Sequence, residues 1–243
     1  MRVNQVQPVI ARSSIRTPLG RRRENQRPTE GAGKQARHVR ARKVISRSRG
    51  RVTGKFASMK MRTTIYWESQ LERDAIMLME IDPAVSAYYE QPFTLEYRHE
   101  GEIHHYTPDL LVENGDGKQL IEVKPDEEAE SPSNQERFAL LTRLFLEHGY
   151  VYRILPEREI RIQPRLDNTK LLLRYRRVVV SDVARERLRR QLAAHYKLPI
   201  KWFTDRPELG IGLPQIASLL CYGYLATDMN APIGPDTPVW IRG

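Results

Sequence analysis

Three charged residues stand in an order that could hold a metal ion and hydrolyse a phosphodiester bond. Asp109 begins an apolar run, and Glu122 and Lys124 lie two residues apart in the next one. Residues two apart on a strand project from the same face of a sheet, while the residue between them projects from the other. The turn at 114–117, Asn-Gly-Asp-Gly, predicts a hairpin that brings Glu122 and Lys124 beside Asp109.

This combination of side chains suits catalysis assisted by a divalent cation. Mg²⁺ prefers hard oxygen ligands and is commonly held by one or two carboxylates together with substrate phosphate. We expect Asp109 and Glu122 to supply those carboxylates, with the carbonyl of Val123 as a further ligand and Mn²⁺ as a substitute ion. Such an ion neutralises phosphate oxygens and generates hydroxide from bound water. Lys124 would orient that water or stabilise developing phosphate charge.

A third acidic residue, Glu72, is predicted on a helix. It lies on the face that carries apolar residues such as Ala75 and Met79, and a carboxylate among apolar neighbours is costly unless a partner or a metal ion compensates. We therefore include Glu72 in the catalytic set, as a metal ligand or as a group that positions the water. Spacing alone leaves an alternative open, in which Glu122 and Lys124 form an exposed strand pair and Glu72 is solvated.

Hydrophobic periodicity predicts the elements that carry these residues. Apolar residues three and four apart predict a helix from Trp67 to Ile81, which Asp82-Pro83 ends. The elements predicted after it are strands at 93–98, about 103–112 and 119–124, a helix at about 134–148 and a strand at 150–155. This order predicts an α/β fold in which a mixed sheet is flanked by helices.

A second unit is predicted beyond Gln163. Ser181 is a favourable N-cap for a helix over 182–196, and Pro214 suits the first turn of a helix over 215–222. Cys221, in the second of these, is expected to be a buried structural thiol. A loop rich in proline then leads to a strand at 239–241. Helices followed by a terminal hairpin predict a small winged-helix-like domain over 164–243, after a catalytic domain over 42–163.

The positive charge is concentrated near the N-terminus. Residues 1–62 hold 18 Lys+Arg and 2 Asp+Glu, whereas the remainder holds 22 and 28. A basic arm suits a polyanion, because neutralised phosphates release condensed counterions. We expect residues 1–41 to be disordered, and composition also allows a solvated tail without a partner. The residues predicted to bind double-stranded DNA are Arg42, Lys43, Arg47, Arg49, Arg51, Lys55 and Lys60.

Composition excludes several other classes of protein. A single cysteine allows neither an internal disulfide nor a cysteine-based zinc site. No apolar run approaches the roughly 20 residues of a membrane span, and the first residues lack the apolar region of a secretory signal. We therefore expect a cytoplasmic protein with no membrane partner.

Four short motifs follow one another along the chain. They are Glu68-Ser69-Gln70-Leu71-Glu72-Arg73-Asp74, Glu90-Gln91-Pro92, Tyr106-Thr107-Pro108-Asp109-Leu110-Leu111-Val112 and Leu120-Ile121-Glu122-Val123-Lys124-Pro125. In this order they closely resemble the TnsA endonuclease subunit of heteromeric transposases, a family in the PD-(D/E)XK nuclease superfamily. The resemblance covers about residues 42–160 and implies a restriction-endonuclease-like fold.

The resemblance also implies site residues, position by position. It assigns the same catalytic set, Glu72, Asp109, Glu122 and Lys124, and some relatives have glutamine where Glu122 stands. Glu68 lies one turn before Glu72 and is an alternative for the helical position. Gln91 matches the family's motif and is expected to be extended at the rim of the site, because it precedes a proline.

For function, the resemblance implies cleavage at the 5′ ends of a transposon in a bacterial cytoplasm. A separate integrase-like transposase would cut and join the 3′ ends, and an AAA+ ATPase regulator would bind the C-terminal domain. The C-terminal assignment rests on analogy, since residues 164–243 match the family only in length, place and predicted character. Two alternatives use the same chain differently: a restriction or junction-resolving nuclease that works alone, and a DNA-binding adaptor whose catalysis has decayed.

Overall fold

The computed structural model describes residues 52–243 and, for the backbone alone, residues 14–16. The predicted arm of residues 1–41 lies outside the described residues apart from that short segment. Five predicted DNA contacts also lie outside them and stay predictions: Arg42, Lys43, Arg47, Arg49 and Arg51. The segment Ser14–Arg16 forms strand β1.

A β-hairpin precedes the first helix, and the sequence did not predict it. Strand β2, Gly54–Ser58, pairs antiparallel with β3, Thr63–Trp67. Gly54 lies opposite Trp67, and a Cβ added at Gly54 would come within 2.1 Å of the indole ring. Glycine therefore leaves room for the indole ring of Trp67 to lie against the backbone of β2.

The first helix, α1, covers Gln70–Ile81 and begins three residues later than predicted. Ser69 is its N-cap, with extended backbone, and its hydroxyl accepts a hydrogen bond from the N–H of Glu72 at 3.1 Å. Trp67, predicted as the first helical residue, ends β3 instead. The helix stops at Asp82, which is also extended, as expected for a residue before proline.

Six further strands belong to the predicted catalytic domain. They are β4, Val85–Glu90, β5, Thr94–His99, β6, Glu102–Tyr106, β7, Leu110–Asn114, β8, Gly117–Lys124, and β9, Val151–Pro156. Four of them form one sheet in the order β4-β7-β8-β9. The first two pairings in that order are antiparallel and β8 with β9 is parallel, which confirms the predicted mixed sheet. The sequence reasoning missed β4.

The remaining two strands form a second sheet, in the order β1-β5-β6. The single strand predicted over about 103–112 is therefore wrong. Residues 107–109 separate β6 from β7, and Pro108 lacks the N–H that a continuous ladder needs. This break moves the chain from one sheet to the other directly before Asp109.

Helices flank the two sheets. The short helix α2, Asp126–Glu130, follows β8, and α3, Pro132–Glu147, covers most of the helix predicted at 134–148. The buried face of α3 packs with aromatic residues of β6 and β9 in one hydrophobic cluster. α1 packs against β3, β4 and β8, so helices lie against the strands that carry the predicted site.

The C-terminal part is mostly helical. Its elements are α4, Glu157–Ile160, α5, Arg165–Arg174, α6, Asp182–His195, β10, Leu198–Pro199, α7, Ile200–Thr204, a 3-10 helix, Pro207–Leu209, α8, Leu213–Cys221, β11, Leu225–Ala226, and β12, Pro238–Ile241. The helices predicted at 182–196 and 215–222 and the last strand are confirmed, whereas α5 and α7 were missed. β10, β12 and β11 form a small sheet in that order. The winged-helix character of this part stays a prediction.

One hydrophobic cluster runs from the first hairpin and α1 into α5, α6 and α8. The predicted boundary at residue 163 is thus crossed by a continuous core, with α5 packed on both α1 and α8. Cys221 lies in this core, and burial raises the pKa of its thiol to about 11, as expected for a structural cysteine. No helix among the described residues is long and apolar enough to span a membrane.

Candidate active site

The strand register places Asp109 beside Glu122 and Lys124. Leu110 pairs with Ile121 across β7 and β8, so Asp109, one residue earlier, stands level with Glu122. The backbone N–H of Val123 donates a hydrogen bond of 2.8 Å to Oδ2 of Asp109. This contact fixes the Asp109 carboxylate against β8, as the predicted hairpin required.

Glu122 is the buried acid of the group. Its side chain projects from β8 on the same face as Lys124, and the Lys124 Nζ lies 3.1 Å from Oε1. The second oxygen, Oε2, is buried and has no hydrogen-bond partner within the described structure. Buried acceptors in folded proteins are nearly always satisfied, so this oxygen, in a cleft lined by Asp109, is a candidate position for a ligand.

Lys124 is half-buried and surrounded by acids. Besides Glu122, it lies 3.8 Å from Oε2 of Glu128 on α2. Burial opposes its positive charge, yet the carboxylates of Glu122 and Asp109 outweigh burial and raise the pKa of Lys124. Lys124 is therefore a charged hydrogen-bond donor at neutral pH, which suits stabilisation of negative charge better than proton abstraction.

Glu72 reaches the site from the first turn of α1. Its Oε2 accepts a hydrogen bond of 2.8 Å from the N–H of Glu68. Burial, followed by the charges of Glu68 and Glu122, raises the pKa of Glu72 against the lowering effect of its hydrogen bonds. The charge of Glu122 thus acts on Glu72, and one oxygen of Glu72 accepts a hydrogen bond from the backbone just before the helix.

Gln91 does not have the predicted conformation. It was expected to be extended at the rim, but it has a positive φ of 43° and is buried. Its N–H donates to the carbonyl of Asp109 at 2.8 Å, and its side-chain Nε2 donates to Oε1 of Glu68 at 3.0 Å. The left-handed backbone costs roughly 1–3 kcal/mol in a non-glycine residue, and here it ties the Asp109 segment to the start of α1.

These residues line one cleft of about 790 Å³. Its walls include every residue predicted for the catalytic, metal-binding and rim positions, namely Glu68, Glu72, Gln91, Asp109, Glu122, Val123 and Lys124. The structure thus brings together residues that span 57 positions of the sequence, from Glu68 to Lys124. The arrangement disfavours the alternative of an exposed Glu122–Lys124 pair, since Glu122 is 5% exposed.

Sequence reasoning missed other residues of the cleft. Tyr106, Glu128 and Arg137 line it, and the Tyr106 hydroxyl lies 2.6 Å from that of Tyr152. Burial, and then the nearby Glu122 carboxylate, raise the pKa of Tyr106, so it stays protonated below Glu122. The periodicity of α3 identifies its buried face, but no local signal indicates that Arg137 on its exposed face reaches the cleft.

The cleft fits a hard divalent cation held by two carboxylates. Burial, and then the charges of Glu122 and Glu72, raise the pKa of Asp109 well above its usual range, and the charge of Lys124 offsets this only in part. The Oε2 atom of Glu122, which lacks a hydrogen-bond partner in the described structure, belongs to the same cleft. Within the described parts of the chain, no three His, Cys, Asp or Glu side chains group closely enough to form a larger metal cluster. The fit therefore rests on Asp109 and Glu122.

The two described members of the predicted DNA-binding set differ. Lys55 is exposed on β2, with its ammonium 5.5 Å from the centre of the Tyr66 ring. The ammonium of Lys60 instead donates to three backbone carbonyls at the end of α1 and the start of β4, those of Met79, Asp82 and Val85, at 2.6 to 2.7 Å. All three N–H donors of the ammonium are used there, so the prediction that Lys60 contacts DNA is wrong.

Acids and a lysine at adjoining strand ends of a mixed sheet are consistent with a nuclease-like α/β domain. Residues 82–157 match a family model described as TnsA-like endonuclease N terminal. Residues 82–157 are therefore similar to the N-terminal domain of TnsA-like endonucleases, which confirms the resemblance drawn from the motifs, and the mixed sheet is consistent with a PD-(D/E)XK fold. The match includes Gln91, Asp109, Glu122 and Lys124 and leaves Glu68 and Glu72 outside. No curated protein matches the chain.

Proposed function

We propose that this chain is a metal-dependent DNA endonuclease that cuts the 5′ ends of a transposon during cut-and-paste transposition. The observation that carries the proposal is the buried, unsatisfied Oε2 of Glu122 in the cleft that Asp109 also lines. A buried acceptor oxygen without a hydrogen-bond partner is costly, and a divalent cation shared with Asp109 would remove that cost. The TnsA-like domain supports phosphodiester hydrolysis as the reaction.

Each residue of the cleft has a role in this proposal. Asp109 and Glu122 would hold Mg²⁺, or Mn²⁺ in its place, with the carbonyl of Val123 as a third ligand. When bound, the ion would supply positive charge for the phosphate and a more acidic bound water. Lys124, charged and fixed by Glu122, would donate to the attacking water or to the phosphate as negative charge develops. Glu72 would orient the water from the opposite wall.

The partners in this proposal follow from charge and from the family resemblance. Double-stranded DNA would be held mainly by the basic N-terminal segment, including Lys55. An integrase-like transposase would cut the 3′ ends, and an AAA+ ATPase regulator would bind the C-terminal part. That part exposes apolar side chains, among them Val179, Val183 and Tyr222, and exposed apolar groups favour contact with a protein over contact with DNA.

The test compares Asp109→Ala with Asp116→Ala, an exposed aspartate in the turn of the same hairpin. Cleavage at the 5′ ends is measured with Mg²⁺ and the complete transposase, and metal binding is measured by calorimetry on the chain alone. We expect Asp109→Ala to lose metal binding and cleavage while DNA binding is kept, and Asp116→Ala to change neither.

Two outcomes would contradict the proposal. Cleavage by Asp109→Ala at the wild-type rate would remove Asp109 from the reaction. Efficient cutting of DNA by the wild-type chain with Mg²⁺ alone would instead favour a nuclease that works without partners.

A further inference from the structure

The segment from residue 63 to 163, which supplies the acids of the cleft, carries strong negative charge for a protein that handles DNA. Residues 63–163 hold 9 Lys+Arg and 21 Asp+Glu, a net charge of −12. Five acids line the cleft itself: Glu68, Glu72, Asp109, Glu122 and Glu128. One divalent cation offsets only part of this charge, so a DNA strand that enters the cleft needs further positive groups there.

Two cationic side chains of Lys or Arg line the described cleft, Lys124 and Arg137. Lys124 is engaged by Glu122 at 3.1 Å and by Glu128 at 3.8 Å. Arg137 makes no ion pair or hydrogen bond within the part of the chain that the structure describes; its guanidinium lies 5.2 Å from the centre of the Tyr106 ring. Its donors are therefore available to a ligand.

The position of Arg137 is fixed by the buried side of α3 and by the Tyr106 ring. The next residue, Phe138, and Leu141 are buried in the aromatic cluster under α3, so the helix cannot rotate without exposing its core. The Tyr106 ring, itself buried, attracts the guanidinium through a cation–π contact. A guanidinium on an aromatic ring keeps its N–H donors in a plane that matches the oxygens of a phosphate.

We propose that Arg137 binds a backbone phosphate of the DNA strand that is cut, next to the scissile phosphate, and so aligns that strand over Asp109 and Glu122. This inference rests on the proposed function, because the strand in question is its substrate. Arg137 would contact substrate directly, and Tyr106 would position Arg137. The fork of donors and the ring beneath it make arginine preferable to lysine at this place.

The first test measures binding of the full chain to a labelled DNA duplex in Ca²⁺, over a range of salt concentrations. Arg137→Ala is compared with Arg143→Ala, an exposed arginine on α3 that does not line the cleft. We expect Arg137→Ala to weaken binding roughly fivefold and to reduce the salt slope by about one, because one phosphate contact is lost. Arg143→Ala should leave both unchanged, and Arg137→Lys should keep the slope while losing part of the affinity.

The second test locates the contact with a transposon end in the complete transposase. Single phosphates near the cut are replaced, one at a time, by uncharged methylphosphonates. At the phosphate that Arg137 binds, the replacement should slow cleavage by wild type but add nothing to Arg137→Ala, as in a double-mutant cycle. Additive effects at every phosphate near the cut would overturn the proposal, and so would equal salt slopes for Arg137→Ala and Arg143→Ala.

The two tests keep this inference apart from the proposed function. If Asp109→Ala cuts as wild type does while Arg137→Ala still loses one unit of salt slope, the phosphate contact stands and the metal-dependent mechanism fails. If Asp109→Ala is inactive and Arg137→Ala binds and cuts as wild type does, the mechanism stands and the phosphate contact is wrong.

Discussion

Two buried glutamates, one near each end of α1, are equally shielded from water and differ in what surrounds them. Glu80, at the C-terminal end, is 6% exposed and accepts four hydrogen bonds. They come from the hydroxyls of Ser58 and Tyr88 at 2.6 Å each and from the backbone N–H groups of Met59 and Lys60 at 2.7 and 3.1 Å. Glu80 thereby joins the first hairpin and β4 to the helix.

Glu122, near the N-terminal end of α1, is 5% exposed; its Oε1 pairs with Lys124, and the Tyr106 hydroxyl is a further neighbour of its carboxylate. Its other oxygen has no partner in the described structure. The comparison teaches that the burial of an acid does not by itself indicate a functional site. The number of donors that reach the acid separates the two cases: the Glu80 carboxylate has four donors and joins elements of the fold, whereas the Glu122 carboxylate has fewer donors and lines the cleft.

The neighbouring lysines differ in the same way. Lys60 donates to three carbonyls, and burial lowers its pKa despite the acids nearby. Lys124 lies among carboxylates that raise its pKa. Lys60 thus completes the end of a helix, whereas Lys124 keeps its charge at the wall of the cleft.

The largest expected effect is on catalysis. Lys124→Ala should lower the rate of 5′-end cleavage by about 10²–10³-fold, the usual loss when one electrostatic stabiliser is removed, while Mg²⁺ and DNA binding persist. Lys60→Ala is the control; it should lower stability and leave the rate of the folded fraction unchanged. Single-turnover cleavage below the melting temperature of both variants separates these results, and near wild-type cleavage by Lys124→Ala would remove the lysine from the mechanism.

Smaller effects are expected on the free energy of unfolding, and they should differ in sign between the two glutamates. Glu80→Gln turns an NH2 group toward donors, so it should lower the free energy of unfolding by about 2 kcal/mol. Glu122→Gln should leave the stability of the metal-free protein unchanged or raise it, because it removes an incompletely satisfied buried charge. Denaturant unfolding in EDTA measures both, and a larger loss for Glu122→Gln than for Glu80→Gln would reverse the comparison.

The smallest effect concerns pH. The raised pKa of Asp109 means that the folded protein takes up this proton more readily than the unfolded chain. The charged form therefore costs stability above the folded-state pKa, and that cost fades as pH falls toward the unfolded-state value. The free energy of unfolding of the metal-free wild type should accordingly rise relative to that of Asp109→Asn as pH falls from neutral into the acid range. The Mg²⁺ affinity of the wild type should decrease over the same pH range.

Thermal unfolding in EDTA and calorimetric titration with Mg²⁺ measure these two dependences. A stability difference between wild type and Asp109→Asn that does not change with pH would show that Asp109 is not a crowded, protonatable acid in the metal-free protein.

The sequence predicted the hairpin that carries the site because its signals are local. A turn of the Asn-Gly type and alternation along β8 suffice to place Glu122 and Lys124 beside Asp109. The same reasoning could not find β4, since Asp82-Pro83 and Gln91-Pro92 bound a short, mixed segment with no clear period. Pro108 does carry a signal that was overlooked: it interrupts the strand predicted over 103–112.

The long-range parts of the site were beyond local signals. Gln91 was expected to be extended because it precedes a proline, yet its N–H must reach the Asp109 carbonyl, and this contact selects a positive φ. The basic stretch before Arg62 was assigned to DNA contacts, but the end of α1 uses Lys60. The partners of Gln91 and Lys60 depend on which carbonyls lie nearby in the fold, and the distribution of charge along the sequence does not indicate them.

The Glu80 cluster also bears on how this chain tolerates mutation. Crowded acids in the cleft destabilise the folded protein, so the rest of the molecule must be stable enough to offset them. The hydrogen bonds of Glu80 with Ser58 and Tyr88 contribute to that stability, and none of the three residues lines the cleft. Substitutions at Ser58 or Tyr88 should therefore act through the amount of folded protein in the cell rather than through turnover. A screen for lost transposition would recover them beside the catalytic variants, and only the abundance of the protein would tell the two groups apart.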